Sequence, residues 1–250
     1  MGGCSPGTNP TSSSSQPGYL LNLGLTPYLE AWDLQRSLAA AVSQGAIPDT
    51  VVMLEHPPVV TLGRRTGDEE IHVPAGADVE VVETDRGGKS TYHGPGQLVC
   101  YPIFDLNRHG RDVKRYCRDL EEAVIRTAAS FDVEAKRIEG LTGVWLESPP
   151  RKLCSIGVHI SRWVTTHGYA LNVDLDPSPF TDWITACGLE DAAFTTLARE
   201  LGRPVTVGEV RPRAAAALAE VFGLEFSDLP AEDGAGLWAQ PLHVQLSAAK

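Results

Sequence analysis

Two periodicities alternate along the middle of the chain. An apolar run over residues 19–25 predicts a strand. Thr26 then reads as a helix cap with Pro27 at the first helical position. Leu29, Trp32, Leu38 and Val42 follow at helical spacing until Gly45. Residues 51–54, 59–62, 79–83 and 98–104 predict four more strands. Residues 112–131 predict a second helix, with Val113, Cys117, Leu120, Val124 and Phe131 along its apolar stripe. The strand pattern returns at 133–138, 143–147, 152–160 and 168–173. A capping box, Thr206-Val207-Gly208-Glu209, opens a last helix that reaches Phe222. Strands and helices each cluster, without strict βαβ alternation. The pattern therefore predicts an α+β domain, with helices on one side of a mixed, largely antiparallel sheet.

Outside residues 19–228 the pattern fades. Residues 1–18 carry no charge and almost no apolar side chain, which predicts a disordered tail. Residues 229–250 contain Pro230, Gly234, Gly236 and Pro241 and read as an irregular extension. The 250 residues suit one large domain. No apolar run approaches the roughly 18 residues of a membrane span, so no membrane partner is expected. Twenty-one basic against 32 acidic residues give a net charge of −11, a poor match to nucleic acid. Five cysteines, an odd number with no CxxC pair, predict free thiols and a reducing, cytoplasmic setting.

Three stretches carry more chemistry than packing requires. In Arg86-Gly87-Gly88-Lys89-Ser90-Thr91-Tyr92-His93-Gly94-Pro95-Gly96-Gln97, four of twelve residues are glycine. Such a loop can approach a ligand closely with its own N–H groups. It is not a phosphate loop, because no G-K-[ST] sits at the right offset and no helix follows, and it lacks the Rossmann spacing. Lys152 opens the otherwise apolar run Lys152-Leu153-Cys154-Ser155-Ile156-Gly157. A lysine entering a sheet either moves protons at a site or snorkels to solvent from a strand edge. Cys187-Gly188 follows a Pro- and Asp-rich stretch in a predicted loop, where a thiol has access but needs a partner to become a thiolate. Candidate partners are Lys152, His93, His159 and His167. Cys154, His159 and His167 match no zinc spacing, and no local protease signature surrounds Cys187.

Taken in order, RGGxxTYHGPGQ, KLCSIGV, HGYALNV and the Cys187-Gly188 pair resemble the lipoyl(octanoyl) transferase family. The resemblance implies the fold shared with biotin and lipoate protein ligases, with a curved sheet around an acyl tunnel. It makes residues 19–228 the catalytic domain. It implies transfer of octanoyl from acyl carrier protein to a lysine of lipoyl domains, in 2-oxoacid dehydrogenase and glycine cleavage proteins. No cofactor, metal or ATP is implied, because the donor thioester is already activated. Cys187 matches the family's nucleophile, which carries the acyl thioester, and Lys152 matches the dyad lysine that activates it. Arg86, Gly87, Gly88, Lys89, Ser90, Thr91, Tyr92 and His93 match the first substrate-binding segment. Ser155, Ile156 and Gly157 match the second, and Gly168, Tyr169 and Ala170 the third. The family usually has proline before the cysteine, where this chain has Ala186. An ATP-dependent lipoate or biotin protein ligase is the alternative. It would not need Cys187, and the GRGRRG-like loop of biotin ligases is missing here. A non-catalytic acyl-binding relative would need neither Cys187 nor Lys152.

Thioester-to-amide transfer suits a thiol, which is both nucleophile and leaving group. One more feature concerns the donor. Arg108, Arg111, Lys114, Arg115 and Arg118 fall within eleven residues of an acidic chain. On a helix most of them share a face, which suggests a docking surface for an acidic carrier protein or a solvated face with local ion pairs.

Overall fold

The two faces of the central strands divide the architecture. The structure, a computed structural model, describes residues 15–185 and 193–230. In chain order the elements begin with β1 (Gln16–Leu25), α1 (Tyr28–Ser43), β2 (Asp49–Glu55), β3 (Val59–Leu62), β4 (Glu80–Glu83), β5 (Thr91–His93) and β6 (Gln97–Ile103). Then come α2 (Val113–Ala129), β7 (Lys136–Ile138), β8 (Leu141–Leu146), β9 (Arg151–Ser161) and β10 (Val164–Asn172). The last are α3 (Pro179–Asp182), β11 (Ala193–Phe194), α4 (Leu197–Leu201), α5 (Val207–Phe222) and β12 (Leu224–Asp228). The main sheet runs β12-β1-β2-β6-β10-β9-β8-β7, with β11 added beside β9. The pairs from β2 across to β7 are antiparallel, whereas β1 pairs in parallel with both β12 and β2. A small second sheet has the order β4-β3-β5. The predicted mixed, mainly antiparallel α+β architecture is therefore present.

The expectation of helices on one side is corrected. Successive strand residues face opposite ways. Val51, Met53, Leu98 and Cys100 pack with α2 and α5, while Val52, Leu54, Val99 and Tyr101 pack with α1. Both faces of β2 and β6 are thus covered, and β6 is buried along its whole length. A continuous apolar run, with no polar alternation, is the signature of a strand buried on both faces.

Local signals succeeded where their partners are local. The capping box closes as expected: the Thr206 hydroxyl accepts from Glu209 N–H at 3.2 Å, and Glu209 accepts from Thr206 N–H at 2.7 Å. The first helix differs. It begins at Tyr28 with Pro27 at the cap and no side-chain cap, while the Thr26 hydroxyl donates to the Gly24 carbonyl instead. Its buried face is Tyr28, Ala31, Leu34, Gln35, Leu38 and Val42, leaving Leu29 exposed. In α2 the buried stripe runs through Tyr116, Leu120, Ala123, Val124 and Thr127, and Val113 faces solvent. Residues 16–18, expected in the tail, belong to β1, because Gln16, Pro17 and Gly18 pair with Leu224, Glu225 and Phe226 of β12. That strand lies some two hundred residues away in sequence, so no local pattern announces the pairing.

The basic cluster is partly committed. Arg108 pairs with Asp49 and Asp105, Arg115 lies 3.6 Å from Asp119, and Arg111 stacks over Trp163. Asp112 caps α2 by accepting from Lys114 and Arg115 N–H groups, which offsets cations in the first turn. The helix packs on the sheet face away from α1.

One buried group makes the fold sensitive to acid. His56 follows β2 with no exposed surface. Its Nδ1 lies 2.7 Å from the Thr26 carbonyl and its Nε2 2.7 Å from the Tyr101 hydroxyl. A carbonyl only accepts, so Nδ1 carries the proton and Nε2 accepts from Tyr101. Burial lowers its pKa from 6.5 to about 4. Between those values the unfolded chain binds a proton that the folded protein refuses, so stability falls as pH drops through the window. The shift corresponds to about 3 kcal/mol at the acid end. His56→Asn is expected to lower the urea-unfolding free energy at pH 7.5 but to lose less of it than the parent between pH 6.5 and 4. Parallel pH curves for the two proteins would contradict this assignment.

Candidate active site

A cavity of about 280 Å³ opens on the α1 side of the sheet. Its walls come from the glycine-rich loop before β5, from the start of β9 and from β10. Lys152 lines it and is only 5% exposed, so the sheet-edge reading of this lysine is corrected: it is buried in the wall. Its Nζ lies 5.0 Å from the centre of the Trp145 ring, within cation–π range. Gly143, at φ +113°, leaves the room this requires. A Cβ there would lie 2.5 Å from the Cys154 carbonyl oxygen and 2.9 Å from Lys152 Cε.

Arg86 builds the opposite wall. Its side chain is 7% exposed and is surrounded by oxygen acceptors. Nη1 donates to the Gly87 and Lys89 carbonyls at 3.1 and 2.7 Å. Nη2 donates to the Thr61 carbonyl and hydroxyl at 2.7 and 2.8 Å. The guanidinium therefore gathers its own loop against β3. Lys89 pairs with the largely buried Glu70. Gly87 N–H donates to the Val158 carbonyl at 2.9 Å, which joins the loop to β9.

An aromatic cluster underlies the cavity. Tyr28 contacts His56 and His93, with ring centroids 5.1 and 6.1 Å apart, and its hydroxyl is 3.4 Å from His167 Nδ1. His167 donates through Nε2 to Asp85 at 2.7 Å. His167 holds φ +56°, unusual for a residue with a side chain, and its N–H is taken by the Gln35 amide oxygen at 2.7 Å. Burial, then the His56 neighbour, holds His93 well below the ordinary imidazole value. Burial also lowers His167, against the opposing pull of Asp85. All three imidazoles are thus neutral at pH 7. Their polar atoms are taken by Thr26 and Tyr101 for His56, Gln97 and Thr61 for His93, and Tyr28 and Asp85 for His167, and the rings of His93 and His167 line the cavity.

Most of the expected residues converge. Arg86, Gly88, Lys89, Ser90, Thr91 and His93 line the cavity, as do Lys152, Ser155, Ile156, Gly157, Gly168, Tyr169 and Ala170. Two do not. Gly87 serves the backbone bond to β9. Tyr92 points away from the cavity onto Phe180 and Trp183, because it alternates with Thr91 and His93 along β5. Cys187 lies outside the described residues. Both flanks of its segment are fixed, however. Thr185 N–H donates to the Glu70 carbonyl at 2.9 Å, and Ala193 and Phe194 pair with Arg151 and Lys152. Sequence reading missed Tyr28, Tyr101, Trp145 and Phe194, which also line the cavity. They sit in ordinary apolar runs. His167, the first residue of HGYALNV, reads in the sequence as a candidate partner for the thiol and as part of no zinc pattern, not as a cavity residue.

Comparison with known proteins agrees with this arrangement. The family described as lipoyl protein ligase A/B catalytic domain matches residues 27–219. An octanoyltransferase of Chloroflexus aurantiacus is 50% identical over 208 residues, which cover 81% of this chain and 93% of the relative. An octanoyltransferase of Mycobacterium tuberculosis is 52% identical over 198 residues, covering 78% and 83%. Among solved structures, the bipartite lipoate protein ligase of Thermoplasma acidophilum is similar with a TM-score of 0.71 at 14% identity, covering 88% of this chain and 90% of that one. Lipoate-protein ligase A bound with ATP gives 0.70 at 15% identity, covering 88% and 92%. At such identities the two structures speak for the fold, and the sequence relatives for the family. A buried lysine and a glycine-rich loop facing one cavity, on this fold and with these relatives, place the chain in the lipoyl protein ligase A/B catalytic-domain family.

Proposed function

We propose that the protein is an octanoyltransferase that moves octanoyl from acyl carrier protein to a lysine of lipoyl domains through a thioester on Cys187. Relatives half identical over four-fifths of the chain carry the name octanoyltransferase. The observation that carries the reading further is the bracketing of residue 187. Thr185 is held to Glu70, whose carboxylate pairs with Lys89 of the cavity wall, and Phe194 pairs with Lys152 itself.

The other thiols support the choice. Cys100 is pushed up to about 12 by burial, and burial raises Cys154 and Cys117 as well. None of these three is a ready thiolate at neutral pH. In the proposed first step the Cys187 thiolate attacks the donor carbonyl and the carbon–sulfur bond to the carrier breaks. The thiol proton passes by way of Lys152 to the departing carrier thiolate. In the second step the acceptor lysine amine attacks, the Cys187 thioester breaks, and the amine proton returns to the cysteine through Lys152. Substrate activation by ATP has no role in either step. An octanoyl chain in the cavity contributes about 0.8 kcal/mol per buried CH₂. Acceptors on this reading are the lipoyl domains of 2-oxoacid dehydrogenase and glycine cleavage proteins, in the cytoplasm.

Two experiments test the pair. Mixed with octanoyl-carrier protein and no ATP, the protein is expected to gain a hydroxylamine-labile octanoyl group, seen by intact-protein mass spectrometry. Cys187→Ala should abolish that adduct, while Cys100→Ser and Cys117→Ser retain it; an adduct on Cys187→Ala would end the assignment. Lys152→Met should slow iodoacetamide alkylation of Cys187 near neutral pH by about tenfold, the equivalent of about one unit in the thiol's apparent pKa. Lys152→Arg should also fail in transfer, since arginine keeps its proton. An unchanged alkylation profile in Lys152→Met would leave Lys152 a packing residue.

A further inference from the structure

An unbroken line of buried hydrogen bonds runs from the glycine-rich loop to the backbone beside Lys152. Arg86 Nη2 donates to Thr61 Oγ1 at 2.8 Å, and Thr61 Oγ1 lies 3.5 Å from His93 Nε2. His93 Nδ1 lies 2.7 Å from Gln97 Oε1. Gln97 Nε2 donates to the Tyr92 carbonyl at 3.3 Å and to Asn172 Oδ1 at 3.0 Å. Asn172 Nδ2 donates to the Thr195 carbonyl at 3.1 Å. Thr195 in turn holds the lysine strand: its N–H donates to the Lys152 carbonyl at 3.0 Å. Its hydroxyl donates to Glu200 Oε1 at 2.5 Å, and that carboxylate takes both Nε and Nη2 of Arg151. Thr61 and Gln97 have no exposed surface, and Asn172 and Thr195 have 2% each.

Chemistry fixes the direction of every bond in this line. Backbone carbonyls accept and cannot donate. The Thr195 carbonyl therefore requires the NH₂ of Asn172, which turns the Asn172 oxygen toward Gln97. The Tyr92 carbonyl likewise requires the NH₂ of Gln97, which turns the Gln97 oxygen toward His93. His93 must then carry its proton on Nδ1. Its bare Nε2 accepts the Thr61 hydroxyl hydrogen, since the Thr61 oxygen is already accepting from Arg86. Reversing any one member would place two acceptors or two donors face to face at a buried site.

We propose that Gln97 and Asn172 are positioning residues for acyl transfer, holding Lys152 and the Thr195 backbone in fixed register with the Arg86 loop across the cavity. The proposal rests on the reading of Lys152 and Cys187 as the reacting pair. Neither amide lines the cavity, so neither touches substrate. Gln97 opens β6 beside its register partner Asn172 at the end of β10; from there Gln97 reaches β5 through the Tyr92 carbonyl and Asn172 reaches the Thr195 carbonyl beside β9.

Asn172→Asp keeps the shape and the acceptor for Gln97 but removes the donor to Thr195. It should lower kcat for octanoyl transfer by up to about 100-fold, the scale of a 1 Å misplacement. KM for octanoyl-carrier protein should stay within about twofold, because neither amide contacts substrate. Gln97→Glu should give a similar loss, and the double variant should fall little further than either single change, since the line is already broken. A rise in KM with unchanged kcat, or losses that multiply in the double variant, would overturn the proposal. Nitrogen NMR of the unsubstituted protein reads the line without any variant. His93 should hold its proton on Nδ1 and leave Nε2 bare across pH 6–8; the opposite tautomer would equally overturn it. Failure of the unsubstituted protein to form an octanoyl adduct would instead count against the Cys187–Lys152 reading.

Discussion

A permanent charge taken out of water sets most of this site. The Arg86 guanidinium cannot give up its proton, and at 7% exposure its two terminal nitrogens need oxygen acceptors. It finds them in Thr61 and in the carbonyls of its own loop. That demand draws the loop onto β3 so closely that residue 63 must be glycine. A Cβ there would lie 2.5 Å from the Gly88 carbonyl oxygen and 2.7 Å from Arg86 Nη1. It also determines where the Thr61 hydroxyl hydrogen goes, and through it the tautomer of His93. The loop is thus a rigid wall before any substrate arrives. Removing Arg86 would leave several inward-facing carbonyls without donors, a cost that falls on the whole wall.

Opposite this wall the constraint is different in kind. Lys152 is carried by β9, the strand that bridges β8 and β10, and its neighbours are a tryptophan face and the space kept by Gly143. A flexible charged chain is thereby held at one place. The three neutral histidines complete the arrangement: two tyrosines, Gln97 and Asp85 satisfy their polar atoms, and the rings of His93 and His167 line the cavity. A cavity with an apolar floor and charged groups confined to its walls suits a ligand with a long apolar tail and one reactive end.

The sequence carried the site more clearly than it carried the fold's edges. The glycine-rich loop was legible because four glycines with Arg, Lys and His exceed what a turn requires. The capping box at Thr206 was legible because both of its partners lie within four residues. The pairing of Gln16 to Gly18 with β12 was not, since it depends on a strand some two hundred positions later. The cap expected at Thr26 gave way because its hydroxyl found a carbonyl behind it and Pro27 took the cap position. Tyr92 shows a signal that was present but unread: once Thr91 to His93 is a strand, its middle residue must face away from its neighbours. Tyr28, His56 and Tyr101 carry no local mark at all, and Asn172 stands in HGYALNV with nothing local to show its partner. Their roles come from partners 23 to 139 positions away, which only the folded chain brings together.

The most direct test of the account is transfer in a defined mixture of the protein, octanoyl-carrier protein and an isolated lipoyl domain, followed by intact mass of the acceptor. With no ATP present, the lipoyl domain should gain one octanoyl group on its lysine, and adding ATP should not change the rate. A gain seen only with free octanoate and ATP would contradict the account and place the chain with the ligases whose fold it shares.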